Sequence, residues 1–321
     1  MKAVYSRSKA SATKLLTEAG KLGFAAGSID LYSEETDKGL DDLLKRSDIT
    51  GVIIVLPIPL QPEIVRKSLA AGKHVLFEKP IAKDVKTAKE LIQDYQKEYA
   101  PKGLVLSVAE QFRYMDANDR ARKWVVDDKR IGDVTQIHLR LWSNLEPGGK
   151  YYETAWRKTP EYQGGFILDG GVHHIALLRY VSGQEIIETR SFARQFAPHL
   201  PPTDTVNAAL LFSGGAVGTF SMSFASTKPA TEFHFIGTKG SLSIDIDRPD
   251  GWVLTLTDAD KNVVQQEVIQ SNGVDAEIAA FLKAIAAGKN EDKAGAIEAL
   301  NDVAVVESLV SEGGKVQIWQ P

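Results

Sequence analysis

Three short apolar runs constrain the fold most: GVIIVLP (51–57), HVLFEKP (74–80) and LVLSVAE (104–110). Their central residues are apolar on both faces of an extended chain, which suits strands of a parallel sheet covered by helices on both sides. Between them lie QPEIVRKSLAAGK and DVKTAKELIQDYQKEYA, which read as helices. Ahead of them KAVYS reads as a strand, SKASATKLLTEAGKLG as a helix stopped at Gly20 or Gly23, and DDLLKRSD as a short helix. Strands separated by single helices predict right-handed crossovers and a doubly wound sheet over residues 1–114.

From residue 115 the period changes. ANDRARKWVVDDK is helical, and VTQIHLRLWS alternates as a strand buried on one face. Further strands are predicted at IIETRSFARQF, TVNAALLFS, AVGTFSMSFAS, TEFHFIGT, GSLSIDI, WVLTLTD and VVQQEVI, with two apolar-striped helices closing the chain. Residues 115–321 are therefore expected to form a large open antiparallel sheet with helices on one face. Phe220, Met222 and Phe224 would share one side of a strand, either as core or as part of a dimer surface.

The 321 residues carry 38 Lys+Arg against 42 Asp+Glu, a net charge of -4, which gives no bias toward nucleic acid or an anionic membrane. A soluble, cytoplasmic protein acting on a small molecule is expected. There is no cysteine, so thiolate nucleophiles, disulfides and cysteine metal sites are excluded. Chemistry must then come from Lys, His, Asp, Glu, Tyr, Arg or a bound cofactor.

Two constellations can supply it. Glu78, Lys79 and Pro80 end a parallel strand at its carboxyl edge, where open α/β sheets bind ligands, and a partly desolvated lysine there can clamp a substrate or donate a proton. Asp169 and His173 are four residues apart and would share one face near the start of a helix beginning after Asp169. That pair fits a carboxylate orienting an imidazole, or equally a helix N-cap beside a packed histidine. Two ligands make no metal site, and none is expected. His174 points about 100° away, toward the sheet or the seam between domains. Trp156 and Arg157 could stack on and hydrogen-bond a sugar-like or carbonyl substrate.

Taken with VLPIPLQPE (55–63), SVAEQFRY (107–114), WRKTPEYQGGFILDGGVHH (156–174) and GTKGSL (237–242), these residues resemble the glucose-fructose oxidoreductase, inositol dehydrogenase and MocA (Gfo/Idh/MocA) family. The resemblance implies a Rossmann-like nucleotide domain, a substrate and dimerisation domain, and a nicotinamide cofactor. It implies that Lys79 holds and polarises the reacting oxygen, that His173 is the acid/base, and that Asp169 orients His173 or anchors a hydroxyl. By the same resemblance Leu56, Pro57, Ile58 and Gln61 touch the cofactor, Glu78 faces its ribose and Gln111 its nicotinamide. Arg113 would lie near the substrate, and the open sheet would form a homodimer.

Family members also place a strand, a G-x-G-x-x-G turn and a helix, roughly 30 residues, before the strand matching KAVYS. The sequence opens at that strand, so the resemblance implies an N-terminally truncated Rossmann-like sheet, through a late start or through genuine loss. Without a central strand, KAVYS is expected to stand apart from GVIIVLP, with its ladder groups unpaired. Ser6 and Arg7 follow where a ribose-binding acid is usual, so NADP(H) is expected over NAD(H), if a nucleotide is bound at all. Two other functions fit the same residues: acid/base catalysis without a cofactor, as in an isomerase, lyase or cyclase, and a non-enzymatic sensor or scaffold.

Overall fold

The computed structural model describes all residues except Ala26, Lys150, Tyr151, Glu161, Gln163, Asp247, Arg248, Ser271 and Pro321. The first part alternates as β1 (Ala3–Ser6), α1 (Lys9–Lys21), β2 (Asp30–Ser33), α2 (Leu40–Leu44), β3 (Gly51–Ile54), α3 (Gln61–Ala70), β4 (His74–Glu78), α4 (Val85–Asp94) and β5 (Leu106–Ala109). A 3-10 turn at Gln111–Tyr114 follows. Strands β3, β4 and β5 pair in parallel, and Val75, Leu76 and Phe77 at the centre are buried, as their apolar runs require.

Strand β1 pairs in parallel with β2 in a ladder of its own, and no pairing joins β1 to β3 among the described residues. The separation from β3 was expected; the partner was not. DLYS is only four residues long and begins with an exposed Asp, so its pattern carried too little periodicity to register as a strand. Tyr32, Leu40, Leu43 and Leu44 form a small cluster that also packs Ala3, Tyr5, Val52 and Ile64, and this cluster bridges the two ladders. On the free side of β3, Ile53 and the following Val55 are more than half exposed.

The second part comprises α5 (Asp116–Arg122), β6 (Val134–Asn144), α6 (Ala155–Lys158), α7 (Gly165–Ser182), β7 (Ile186–Arg194), β8 (Thr205–Phe212), β9 (Val217–Ser223), β10 (Ala225–Gly237), β11 (Gly240–Asp245), β12 (Trp252–Asp258), β13 (Val263–Ile269), α8 (Gly273–Ala287), α9 (Ala296–Val310) and β14 (Gly313–Lys315). Nine strands form one sheet in the order β13-β12-β11-β10-β6-β9-β8-β7-β14. The sheet is mixed rather than wholly antiparallel, because β6 inserts between β9 and β10 and runs parallel to β9. Alternation in sequence reports which face of a strand is buried and says nothing of its neighbour's direction.

Phe220 and Met222 are fully buried on the face covered by α7 and α9, so the apolar side of β9 is core and not a dimer surface. The opposite face carries His138, Arg140, Trp142, Thr219, Ser221, Glu232 and His234 around a groove of about 500 Å³. Helix α9 packs against both α4 and β7, and α8 packs against the Gln111–Tyr114 turn, so the C-terminal helices reach back across the boundary expected at residue 114. Among the described residues no helix is long and apolar enough to cross a membrane.

Candidate active site

The site lies where the carboxyl ends of β4 and β5 meet the first turns of α7. Helix α7 starts at Gly165, four residues before Asp169, so Asp169 is a helical residue and not the N-cap. The segment FILDGGVHHIALLRYVS is apolar nearly all round and is buried nearly all round, which carries the helix back through Phe166 and Ile167. Gly165 is needed at its start: it has φ +48, and a Cβ there would meet the Pro201 carbonyl at 2.7 Å.

Lys79 follows β4. Its Nζ donates to the Asp169 carbonyl at 2.8 Å and to Asp169 Oδ1 at 3.1 Å. The other carboxylate oxygen of Asp169 accepts from Arg157 Nε at 2.7 Å, and the Arg157 guanidinium stacks 4.1 Å over the Trp156 ring. Burial by itself would raise the Asp169 carboxyl, but the charges of Lys79 and Arg157 outweigh it and hold the group below its ordinary range. Two of the three ammonium protons of Lys79 are thus engaged, and one is left for a ligand oxygen.

His173 is not oriented by Asp169, although both stand on one face of α7. Its Nδ1 lies 2.6 Å from Oε1 of Glu110, which directly follows β5 and is buried. The imidazole stacks on Phe112 with ring centroids 4.8 Å apart. Glu110 was not singled out from sequence, yet the signal existed: it is an acid directly after a fully buried strand, at the carboxyl edge where Glu78 and Lys79 stand on the neighbouring one. His174 is buried among Phe112 and Phe233, and burial first, then the neighbouring His173, lowers its pKa to about 3 and keeps it neutral.

Glu277 of α8 completes an acidic group with Glu78 and Glu110. It lies on the buried stripe Gly273, Glu277, Phe281 and Ala284, and its Oε2 has no partner among the described residues. A glutamate at a core position of a helix was the sequence signal for it. Burial first, then the charges of Glu78 and Glu110, pushes it up to about 8, and burial likewise raises Glu78. The folded chain therefore binds this proton more tightly than the unfolded chain, whose group keeps its ordinary value of 4.5. That stability is complete below about pH 4.5 and is lost as pH rises to about 8, by on the order of a few kcal/mol. Glu277→Gln is expected to flatten the fall of Tm between pH 5 and pH 8; an unchanged slope would rule this out.

The other expected contacts divide. Arg113 is buried, with Nη2 donating to Asp302 at 2.6 Å, so it faces the interior and not a substrate. The Ile58 side chain is core, whereas Leu56 and Pro57 are half-buried at the end of β3. Gln61 is fully buried, with Nε2 donating to the Pro80 carbonyl at 3.4 Å and Oε1 without a partner among the described residues. Gln111 is half-buried in the turn directly after Glu110, and Glu78 sits with the acidic group under the influence of Lys79 and His173. Ser6 is half-buried and Arg7 exposed at the end of β1. No acid stands directly beside Arg7 in sequence, but the turn after β2 delivers two: Glu34 accepts from the Tyr5 hydroxyl at 2.7 Å, and Glu35 accepts from the Lys9 amide at 2.9 Å. Groups of three or more His, Asp or Glu able to hold a metal are absent among the described residues.

The carboxyl edge of a parallel sheet and the first turns of α7 bring together a lysine, an imidazole and their carboxylates, ahead of a large mixed sheet, and the comparisons make this the architecture of an oxidoreductase. Residues 1–108 match the family described as "Oxidoreductase family, NAD-binding Rossmann fold", and residues 120–243 match "GFO/IDH/MocA C-terminal domain". The chain is 36% identical to "Dehydrogenase FPY6" of Fusarium mangiferae, over 97% of this chain and 88% of that protein. It is 28% identical to 1,5-anhydro-D-fructose reductase of Ensifer adhaerens, over 77% of this chain and 72% of that one. The crystal structure of an oxidoreductase from Thermotoga maritima superposes with a TM-score of 0.82 at 29% identity, covering 97% of this chain and 87% of the other. The protein belongs to the Gfo/Idh/MocA family of oxidoreductases, and the family and fold expected from its motifs are borne out.

The polar groups at the carboxyl edge fit a nicotinamide cofactor: Gln61 Oε1 is a buried acceptor without a partner among the described residues, and Lys79 commits two of its three donors to Asp169. The start of α1 fits a phosphate less well, since Glu35 already holds its first amide.

Proposed function

We propose that the protein is an NADP(H)-type oxidoreductase that interconverts a hydroxyl and a carbonyl on a small sugar-like or diol-like substrate. The observation that carries this is the fixed pair of polar ends: Lys79 Nζ, held by Asp169 with one proton to spare, and His173, held through Nδ1 by Glu110. A nicotinamide cofactor supplies the hydride chemistry when bound. Lys79 hydrogen-bonds the reacting oxygen and stabilises negative charge on it, while His173 takes or returns its proton. Asp169 and Arg157 keep the lysine in place, and Trp156 braces Arg157. Leu56, Pro57 and Gln111 are the residues that would line the nicotinamide side. A sugar-like substrate is supported by the relative that reduces 1,5-anhydro-D-fructose.

The preference for NADP(H) rests on Ser6 and Arg7 at the end of β1, with the Glu35 carboxylate as the competing anion. Calorimetric titration of the folded protein is expected to show NADPH bound more tightly than NADH. Arg7→Ala should weaken NADPH about tenfold and leave NADH within twofold, because only the 2′-phosphate meets the guanidinium. Absence of binding by either nucleotide would overturn the reading for this chain. Turnover that survives complete removal of nucleotide would favour cofactor-free acid/base catalysis.

A further inference from the structure

We propose that Glu110 is a positioning residue for His173, fixing the imidazole as the Nδ1–H tautomer and leaving Nε2 as the atom that exchanges a proton with the substrate. The inference rests on the proposed role of His173, and it goes further by naming the reacting nitrogen and the group that selects it.

Two contacts immobilise the ring, and a third aims the carboxylate. Glu110 Oε1 sets its edge at 2.6 Å from Nδ1. Phe112 sets its plane, with 22° between the stacked rings. Glu110 is itself aimed by the Phe112 amide, which donates to the same Oε1 at 3.2 Å, so carboxylate and stacking ring belong to one turn. An ionised carboxylate can only accept, so the proton of this contact lies on Nδ1. Nε2 has no hydrogen-bond partner among the described residues and keeps its lone pair.

The charge on Glu110 is maintained by its surroundings. Burial opposes ionisation, but His173, Arg113 and Lys79 together hold the carboxyl below its ordinary range; of these, the Nδ1–H hydrogen bond and the charges of Arg113 and Lys79 act while the imidazole is neutral. The like-charged neighbour that would compete, Glu277, stays protonated at neutral pH. When a substrate hydroxyl is oxidised, its O–H bond breaks with the electron pair left on oxygen and the proton bonds to Nε2. Nδ1 keeps its own proton against Glu110, so the new positive charge faces a carboxylate already in place. The reverse transfer returns the Nε2 proton to a carbonyl oxygen being reduced.

The tautomer measurement needs no bound nucleotide. Long-range ¹⁵N–¹H spectra of the full chain, with His173 assigned by its loss in His173→Asn, should show a protonated Nδ1 and a lone-pair Nε2 in the neutral ring. Glu110→Gln, which keeps the shape and removes the charge, should mix or invert the tautomers. It should also lower kcat by about 10²–10⁴-fold with KM within threefold. A wild-type ring carrying its proton on Nε2 overturns the proposal even if the variant does not fold. So does a Glu110→Gln variant with unaltered tautomer and kcat. Loss of the oxidoreductase reading itself would look different: the Nδ1–H tautomer would persist while His173→Ala left turnover unchanged.

Discussion

Lys79→Met is expected to lower kcat/KM by about 10²–10⁴-fold while the fold is kept. The lysine side chain is 14% exposed, and Met preserves its length and most of its apolar stem. What disappears is the ammonium, and with it the one donor not already committed to Asp169. Asp169 keeps its bond to Arg157, so no buried carboxylate is left unpaired. The effect should therefore fall on turnover and not on Tm. Steady-state rates and a thermal melt separate the two: a variant retaining more than a third of wild-type kcat/KM, with unchanged Tm, would remove Lys79 from the chemistry.

Asp302→Ala should destabilise the protein by about 3–5 kcal/mol, lowering Tm by roughly 10 °C. Asp302 is 2% exposed and divides its two oxygens between Arg113 Nη2 and Arg179 Nη1, each at 2.6 Å. Arg179 has further partners in Glu185 and Glu298, at 2.7 and 2.8 Å. Beyond Asp302, Arg113 has a distant ion pair with Glu298 at 3.9 Å and a longer-range charge interaction with Glu110, so removal of Asp302 leaves a buried guanidinium without a close carboxylate among the described residues. The three residues join the Gln111–Tyr114 turn, α7 and α9, which tie the two parts of the chain together. Asp302→Asn, which keeps one acceptor, should cost less. A thermal melt of Asp302→Ala within 2 °C of wild type would show that the cluster is dispensable.

The motifs were legible because they combine local geometry with chemistry. Strand-terminal EKP put Lys79 at a carboxyl edge, and D-x-x-x-H put Asp169 and His173 one turn apart on α7. Spacing could not tell which partners those side chains would meet. Asp169 turns to Lys79, 90 residues away, and His173 turns to Glu110, 63 residues away. The same limit explains Arg113. Its place after Gln111 suggested a site residue, and only packing against α9 revealed the carboxylate that holds it inside.

Local pattern likewise outlined most of the strands but not how they associate. DLYS is too short and too polar to stand out, and it becomes a strand because β1 offers it a ladder. The insertion of β6 between β9 and β10 is equally silent in sequence, since alternation is the same beside a parallel or an antiparallel neighbour.

Sequence by itself determined the succession of elements, the two-domain class, the family and the residue types able to move a proton. These follow from periodicity and short-range motifs, which act over one or two turns of chain. Tertiary structure alone decided that Asp169 serves the lysine, that Glu110 serves the histidine and that Glu277 is held protonated. Ion pairing and desolvation depend on which distant groups share a buried volume, and that is settled only when the sheets and helices pack.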